Sequence, residues 1–192
     1  MRIFKEFYYN LLRESPMFVG DSREDYSLDT ILAKEKYQDI KTNPESYILV
    51  RPSDKEVSVD LYEEVDGNEI ICWFVPKNNT FVYGYVAYDI LSDGGIITTS
   101  VFNDKQLKFL AFKVYLYYLI DKFKYVLSDK RHTQSGKKFW ENLTSFSIAN
   151  NYTVSVIDHS TGDMLEHILN VRDLVKYYGD EYSEKYRIKI EK

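Results

Sequence analysis

Between Ser46 and Phe102 the hydropathy pattern keeps a period of two. The segments SYILVRP, EVSVDLYEE, EIICWFV, TFVYGYVAYDIL and GIITTSVF are rich in β-branched and aromatic residues, the composition of half-buried strands. The connectors VDGN, PKNN and SDGG carry the Gly, Asn and Asp that hairpin turns demand. This half of the chain therefore reads as an antiparallel meander of about four to five strands.

The period then changes. Asn103-Asp104 can cap a helix running through KQLKFLAFKVYLYYLIDKF. Leu107, Leu110, Ala111, Val114 and Tyr118 form one apolar face, and Phe109, Phe112, Leu116, Ile120 and Phe123 form another. A helix that is apolar on two sides is expected to be central and buried. A short strand at Tyr125–Ser128, a helix at Ser135–Leu143 and a strand in YTVSVID, ending at the turn HSTGD, come next. A helix near Val171–Tyr178 and a strand near Tyr186–Ile190 close the chain. Upstream of the meander, a helix is expected at Ile3–Arg13, stopping near Pro16, and a short one at Leu28–Asp39, before a turn at Asn43-Pro44. This order predicts an α+β fold, a mixed and mostly antiparallel sheet with helices on its faces, and not a doubly wound one. At 192 residues it predicts a single domain over 1–192, large enough to bury a core without staples.

Composition narrows the function classes. Net charge is -5, with 25 basic against 30 acidic residues, which argues against non-specific nucleic-acid binding, since that needs a basic face for phosphates. The eighteen tyrosines and eleven phenylalanines read as core and sheet residues in the absence of a basic stripe. Cys72 is the only cysteine and reads as a small buried hydrophobe, consistent with a reducing, cytoplasmic setting. His132, His159 and His167 stand apart, with no metal-ligand spacing. The N-terminal MRIFKEFYYNLLRES lacks an uncharged apolar core, so no secretory signal is expected. The segment LKFLAFKVYLYYLI, at 14 residues with two lysines, is too short to span a bilayer.

The stretch YVLSDKRHTQSGKKFW concentrates chemistry. Lys130, Arg131, Lys137 and Lys138 surround Ser128, Asp129 and His132 in an otherwise acidic chain. The strand-to-helix junction after TTSVF adds Lys105 and Lys108, at a helix start where backbone amides favour anions. The two basic groups could face one pocket for an anionic ligand, or they could be solvated lysines on amphipathic surfaces. Ser128 and Asp129 could equally cap and order their loop, and His132 could be an exposed loop residue. Trp140, three residues from Leu143 on one helical face, is expected in the core.

These residues resemble the GNAT family of acyltransferases. That family carries a pyrophosphate loop patterned V-x-x-x-x-[RQ]-x-x-G-x-[GA] before a long helix; here Val101, Gln106 and Ala111 match, and Phe109 stands where glycine belongs. The block SDKRHTQSGKKFWENL, followed by YTVSVIDHSTGDML, is similar to one in small GNAT-like proteins encoded by bacteriophages. The matching residues are Ser128, Asp129, His132, Thr133, Gly136, Trp140, Leu143, Asp158, Thr161 and Gly162. The resemblance covers roughly 81–165, and residues 1–79 match nothing named. It implies an acetyl-CoA site between two splayed strands, with the Ile96–Phe102 strand pairing with the pantetheine arm. Val101, Asn103, Asp104, Lys105, Gln106, Lys108 and Ala111 would be the cofactor-binding residues. Asp129 or His132 would be the base, and Tyr125, or one of Tyr115, Tyr117 and Tyr118, the acid. The acceptor would be an amine on a protein or small molecule. A non-catalytic GNAT-fold phage protein that binds a host or phage protein is the alternative, and a homodimer stays open.

Overall fold

A computed structural model describes residues 23–103, 109–129, 134–177 and 185–192. The chain divides into two compact units, one within Val19–Asp129 and one that includes Lys130–Lys192. Both follow the α+β reading.

In the first unit, helix α1 (Arg23–Thr42) is longer than the pattern suggested and precedes a 3-10 turn at Pro44–Ser46. The meander follows as β1 (Ile48–Arg51), β2 (Asp60–Asp66), β3 (Glu69–Val75), β4 (Gly84–Ile90) and β5 (Ile96–Asn103). Each pairs antiparallel with the next. A long helix, α2 (110–122), then crosses over to β6 (Tyr125–Leu127), which lies parallel to β5. The sheet is thus mixed and mostly antiparallel. The helix expected from Lys105 begins at Leu110 in the described residues, after a left-handed Phe109 with φ 75°.

Alternation divides the two faces. Leu61, Cys72, Phe74, Val86, Tyr88 and Ile96 are buried on the α2 side. Within α2, every residue from Leu110 to Ile120 is buried except Lys113 and Tyr117. Each such Leu, Ile, Val or Phe contributes roughly 1.5–3 kcal/mol by leaving water. Residues Tyr115–Leu119 form a π turn inside this helix, which wider spacing leaves short of backbone donors. Arg51 Nη1 donates to the Tyr117 carbonyl within that turn, and Arg51 is itself held by Asp54 at 2.6 Å. On the opposite face α1 lays Ala33, Tyr37 and Ile40, at helical spacing, against Tyr47, Val75, Val82, Trp73 and Tyr62.

One glycine is fixed by close approach. A Cβ at Gly95 would lie 2.2 Å from the Tyr125 ring, and that ring is tethered by its hydroxyl to both oxygens of Asp93 at 2.8 Å.

In the second unit, α3 (Gln134–Ala149) precedes β7 (Thr153–Asp158), β8 (Met164–His167), a 3-10 segment at Val171–Tyr177 and β9 (Tyr186–Glu191). β7 is the central strand, antiparallel to both β8 and β9. The helix runs beyond the expected Leu143 because Phe146, at the spacing of Trp140 and Leu143, continues its apolar stripe; all three are buried. Strand β8 had no counterpart in the sequence reading. Its four residues MLEH hold no alternation and remain half-buried or exposed.

Candidate functional site: a cleft between the first helix and the sheet

A cleft of about 430 Å³ lies between α1 and the face of β3, β4 and β5 that α2 does not cover. Its wall includes Trp73, Tyr85 and Phe102, three members of an aromatic row set by strand register. Tyr62, Trp73, Tyr85 and Phe102 are successive cross-strand partners on β2 to β5. Trp73 and Tyr85 have ring centroids 5.1 Å apart, and Tyr85 stacks on Phe102 at 6.1 Å. Ile71, Ala87 and Val82 supply the apolar floor. From α1, Glu35, Lys36 and Asp39 face the opening, with Glu69 from β3.

Lys36 joins the polar groups. Its Nζ donates to Glu64 at 3.0 and 3.2 Å and to the Tyr47 hydroxyl at 3.1 Å. It also lies 5.0 Å from the Trp73 ring centroid and 5.4 Å from that of Tyr47, a cation–π geometry. Trp73 Nε1 donates to Glu64 at 2.8 Å. The Tyr47 hydroxyl donates to Asp39, which also accepts from Asn43 Nδ2 at 2.7 Å.

These contacts move the titrations of Lys36, Tyr47 and Asp39 further from neutral pH. Burial works to lower the Lys36 pKa, but the hydrogen bonds to Tyr47 and Glu64 outweigh it and hold the ammonium above its ordinary value. Burial, then the bond to Asp39, raises the Tyr47 phenol. The Tyr47 hydroxyl, with Asn43, keeps Asp39 below the usual carboxylate range. The three groups are committed to one another, an arrangement of charge and hydrogen bonds suited to binding.

A second polar cluster lies under α2. Glu63 is buried on β2 and accepts hydrogen bonds from the hydroxyls of Tyr88 and Tyr118 and, at 2.7 Å, from Lys122 Nζ. Burial, followed by the bonds to Glu63, pushes both phenols well above their ordinary value. Cys72 is buried beside them, and burial pushes its thiol up as well. A thiol so held is inert.

The residues implied by the resemblance fall as follows. Tyr125 is buried with its hydroxyl on Asp93. Asp129 is half-buried just past β6, and its charge acts to raise the buried Tyr115 phenol, after the larger effect of burial. Tyr115 donates to Thr98 Oγ1 on β5 at 3.1 Å. Ser128 is buried and donates to the Asp129 carbonyl at 3.1 Å. Val101 is half-buried opposite Val86, Asn103 pairs with Gly84 at the end of β5, and Ala111 is buried in the first turn of α2. Asp104, Lys105, Gln106, Lys108 and His132 lie outside the described residues, as do Lys130 and Arg131 and the helix expected at Ile3–Arg13. Among the described residues Tyr115 and Asp129 are thus brought into electrostatic reach, while Tyr125 is engaged elsewhere.

The α1 cleft was missed from sequence. Trp73, Tyr85 and Phe102 each lie in a segment that reads as a strand, but nothing in the sequence says which helix covers them. Among the described residues no group of three or more His, Cys, Asp or Glu side chains is arranged to hold a metal, and no helix is long and apolar enough to cross a membrane.

No protein-family model matches this chain, and a search of curated proteins finds no significant match.

Proposed function

We propose that the protein is a GNAT-like acyltransferase that moves an acetyl group from acetyl-CoA to an amine. The observation that carries this reading is the edge of β5. β5 and β6 pair in parallel only at Ile96–Val126 and Ile97–Leu127. β5 then runs on to Asn103 without a β6 partner among the described residues, bent by a one-residue bulge at Thr99. Such an edge offers backbone donors and acceptors to an extended ligand, the role the resemblance gives to the strand that meets the pantetheine arm. Phe109 adds support. It occupies the position of the motif's glycine, it adopts the left-handed conformation that favours glycine, and its side chain is buried.

In the proposed reaction the amine nitrogen attacks the thioester carbonyl carbon. The C–S bond breaks, Asp129 takes the proton lost by the amine, and a tyrosine hydroxyl, that of Tyr125 or of one of Tyr115, Tyr117 and Tyr118, supplies one to the departing thiolate.

A non-catalytic binding role is the second reading. It is favoured by the engagement of Tyr125 with Asp93 and by the cleft beside α1, which has the volume of a binding site. Calorimetric titration with acetyl-CoA decides between them. The acyltransferase reading expects saturable heat at unit stoichiometry and amine-dependent release of free thiol. Silence up to millimolar acetyl-CoA would leave the binding role standing.

A further inference from the structure

The α1 cleft lies on the aromatic row of the sheet, on the face opposite α2. Its volume of about 430 Å³ is within the range of sites that bury a small organic molecule. Its chemistry is one-sided. Three rings, Trp73, Tyr85 and Phe102, line the cleft from adjacent strands, the first two tilted by 54° and the last two by 28°. The carboxylates of Glu35, Asp39 and Glu69 stand around it. Neither Glu35 nor Glu69 has a cationic partner among the described residues; Glu69 accepts from Thr99 Oγ1.

Lys36, the cation among the described residues that line this cleft, shows how the wall treats positive charge. Its ammonium sits over the Trp73 ring and is matched by Glu64. Lys36 is therefore already neutralised within the wall, and the charge left facing the opening is negative. A ring quadrupole attracts cations at its face, so the rings and the carboxylates select the same sign of ligand. An anion would meet both as repulsion.

We propose that this cleft binds a small organic cation that carries a flat ring, the ring lying along Tyr85 and Phe102 and the ammonium directed to the carboxylates of Glu35 and Glu69. The occupant need not be an acyl acceptor, and the site stands whether or not CoA binds along β5.

The test uses phenethylammonium, with 2-phenylethanol and 3-phenylpropionate as neutral and anionic counterparts of similar shape. Each is titrated into the full-length protein and followed by amide and indole NMR shifts. Saturable shifts with phenethylammonium are expected at the Trp73 indole and along 85–87 and 100–102. Binding should weaken on the order of tenfold with 2-phenylethanol, and 3-phenylpropionate should not saturate. Tyr85→Leu keeps an apolar side chain and removes the quadrupole, and it should weaken the cation selectively. Glu35→Gln with Glu69→Gln should bring the affinities of cation and alcohol together. Equal binding of all three probes, saturation by the anion, no saturable shift with the cation, or affinity unchanged in both variants would overturn the proposal. Heat from acetyl-CoA is a separate readout, so failure of either reading leaves the other intact.

Discussion

Phe109 has a large side chain, a buried environment and a backbone conformation that L-residues avoid, and these can be separated by substitution. At φ 75° and ψ 4° its Cβ is crowded against the following carbonyl at a cost of roughly 1–2 kcal/mol. Its side chain is 1 % exposed, so truncation to alanine should cost about 3–5 kcal/mol. Phe109→Ala keeps the strained conformation and loses the packing. Phe109→Gly loses the same packing and relieves the strain, while giving back roughly 0.4–1 kcal/mol through the freer unfolded chain. The glycine variant should therefore be the more stable of the two by about 0.5–1 kcal/mol, with a net loss from wild type of roughly 2–4 kcal/mol. Had the helix begun at Lys105, as the sequence suggested, the order would reverse, because glycine inside a helix is about 1 kcal/mol worse than alanine. The sign of the difference therefore separates a left-handed Phe109 from a helical one. Urea unfolding of both variants, followed by far-UV circular dichroism, measures it. A glycine variant less stable than the alanine variant by about 1 kcal/mol would refute a left-handed residue at this position.

Other outcomes follow from the same geometry. Gly95→Ala should destabilise by about 1–3 kcal/mol, because its Cβ would enter the Tyr125 ring; Tyr125→Ala in the same chain should remove most of that penalty, as a double-mutant cycle would record. Lys122→Met should cost about 1–3 kcal/mol, less than a fully buried pair because Lys122 is partly exposed. Adding Glu63→Leu should recover part of that loss, and a further loss instead would refute the reading of Glu63 as a carboxylate kept in place by its partners. The Tyr125 hydroxyl holds Asp93 below its ordinary 3.8. A depressed carboxylate contributes stability above its unfolded pKa and loses it as pH falls through the folded one. Asp93→Asn should therefore flatten the dependence of Tm on pH below about 4, and an unaltered acid slope would count against the bond. Trp140→Ala should cost about 3–5 kcal/mol from a buried site; an unchanged melting temperature would contradict its burial.

The meander was legible because its chemistry is local. Alternation in EVSVDLYEE and EIICWFV, with Asp66-Gly67-Asn68 between them, is sufficient to set register and turn, and β2 and β3 pair from Asp60↔Val75 to Asp66↔Glu69. The buried state of Trp140 and Cys72 followed from the same patterning. The features that were hidden depend on residues distant in sequence. The partner of the Tyr117 carbonyl is Arg51, 66 residues away, and Lys122 reaches Glu63 across 59. Nothing in LAFKVYLYYLI announces a π turn, because it exists through those tertiary contacts and not through helix propensity. The cleft was hidden for a related reason: α1 has a weak apolar stripe, and a sparse one such as Ala33, Tyr37 and Ile40 does not say which sheet face it will cover. Beyond Ile97, β5 has no β6 partner among the described residues because β6 is only three residues long, one short of the strand expected at Tyr125–Ser128.

The π turn carries a consequence for how α2 tolerates change in length. A π turn places one residue more in its loop than an α-helical turn does, so it behaves as a built-in phase slip between the two ends of the helix. The first end, from Leu110 to Val114, and the second, from Ile120 to Lys122, each meet the sheet in their own angular setting. Removing one residue from 115–119 would let the segment relax to regular α geometry, while adding one would rotate everything beyond it by about 100°. The rotation would swing Lys122 away from Glu63 and disturb the pairing of β6 with β5. A one-residue deletion in α2 should therefore be absorbed inside Tyr115–Leu119, where the π turn holds the residue to spare, and an insertion there should be rejected.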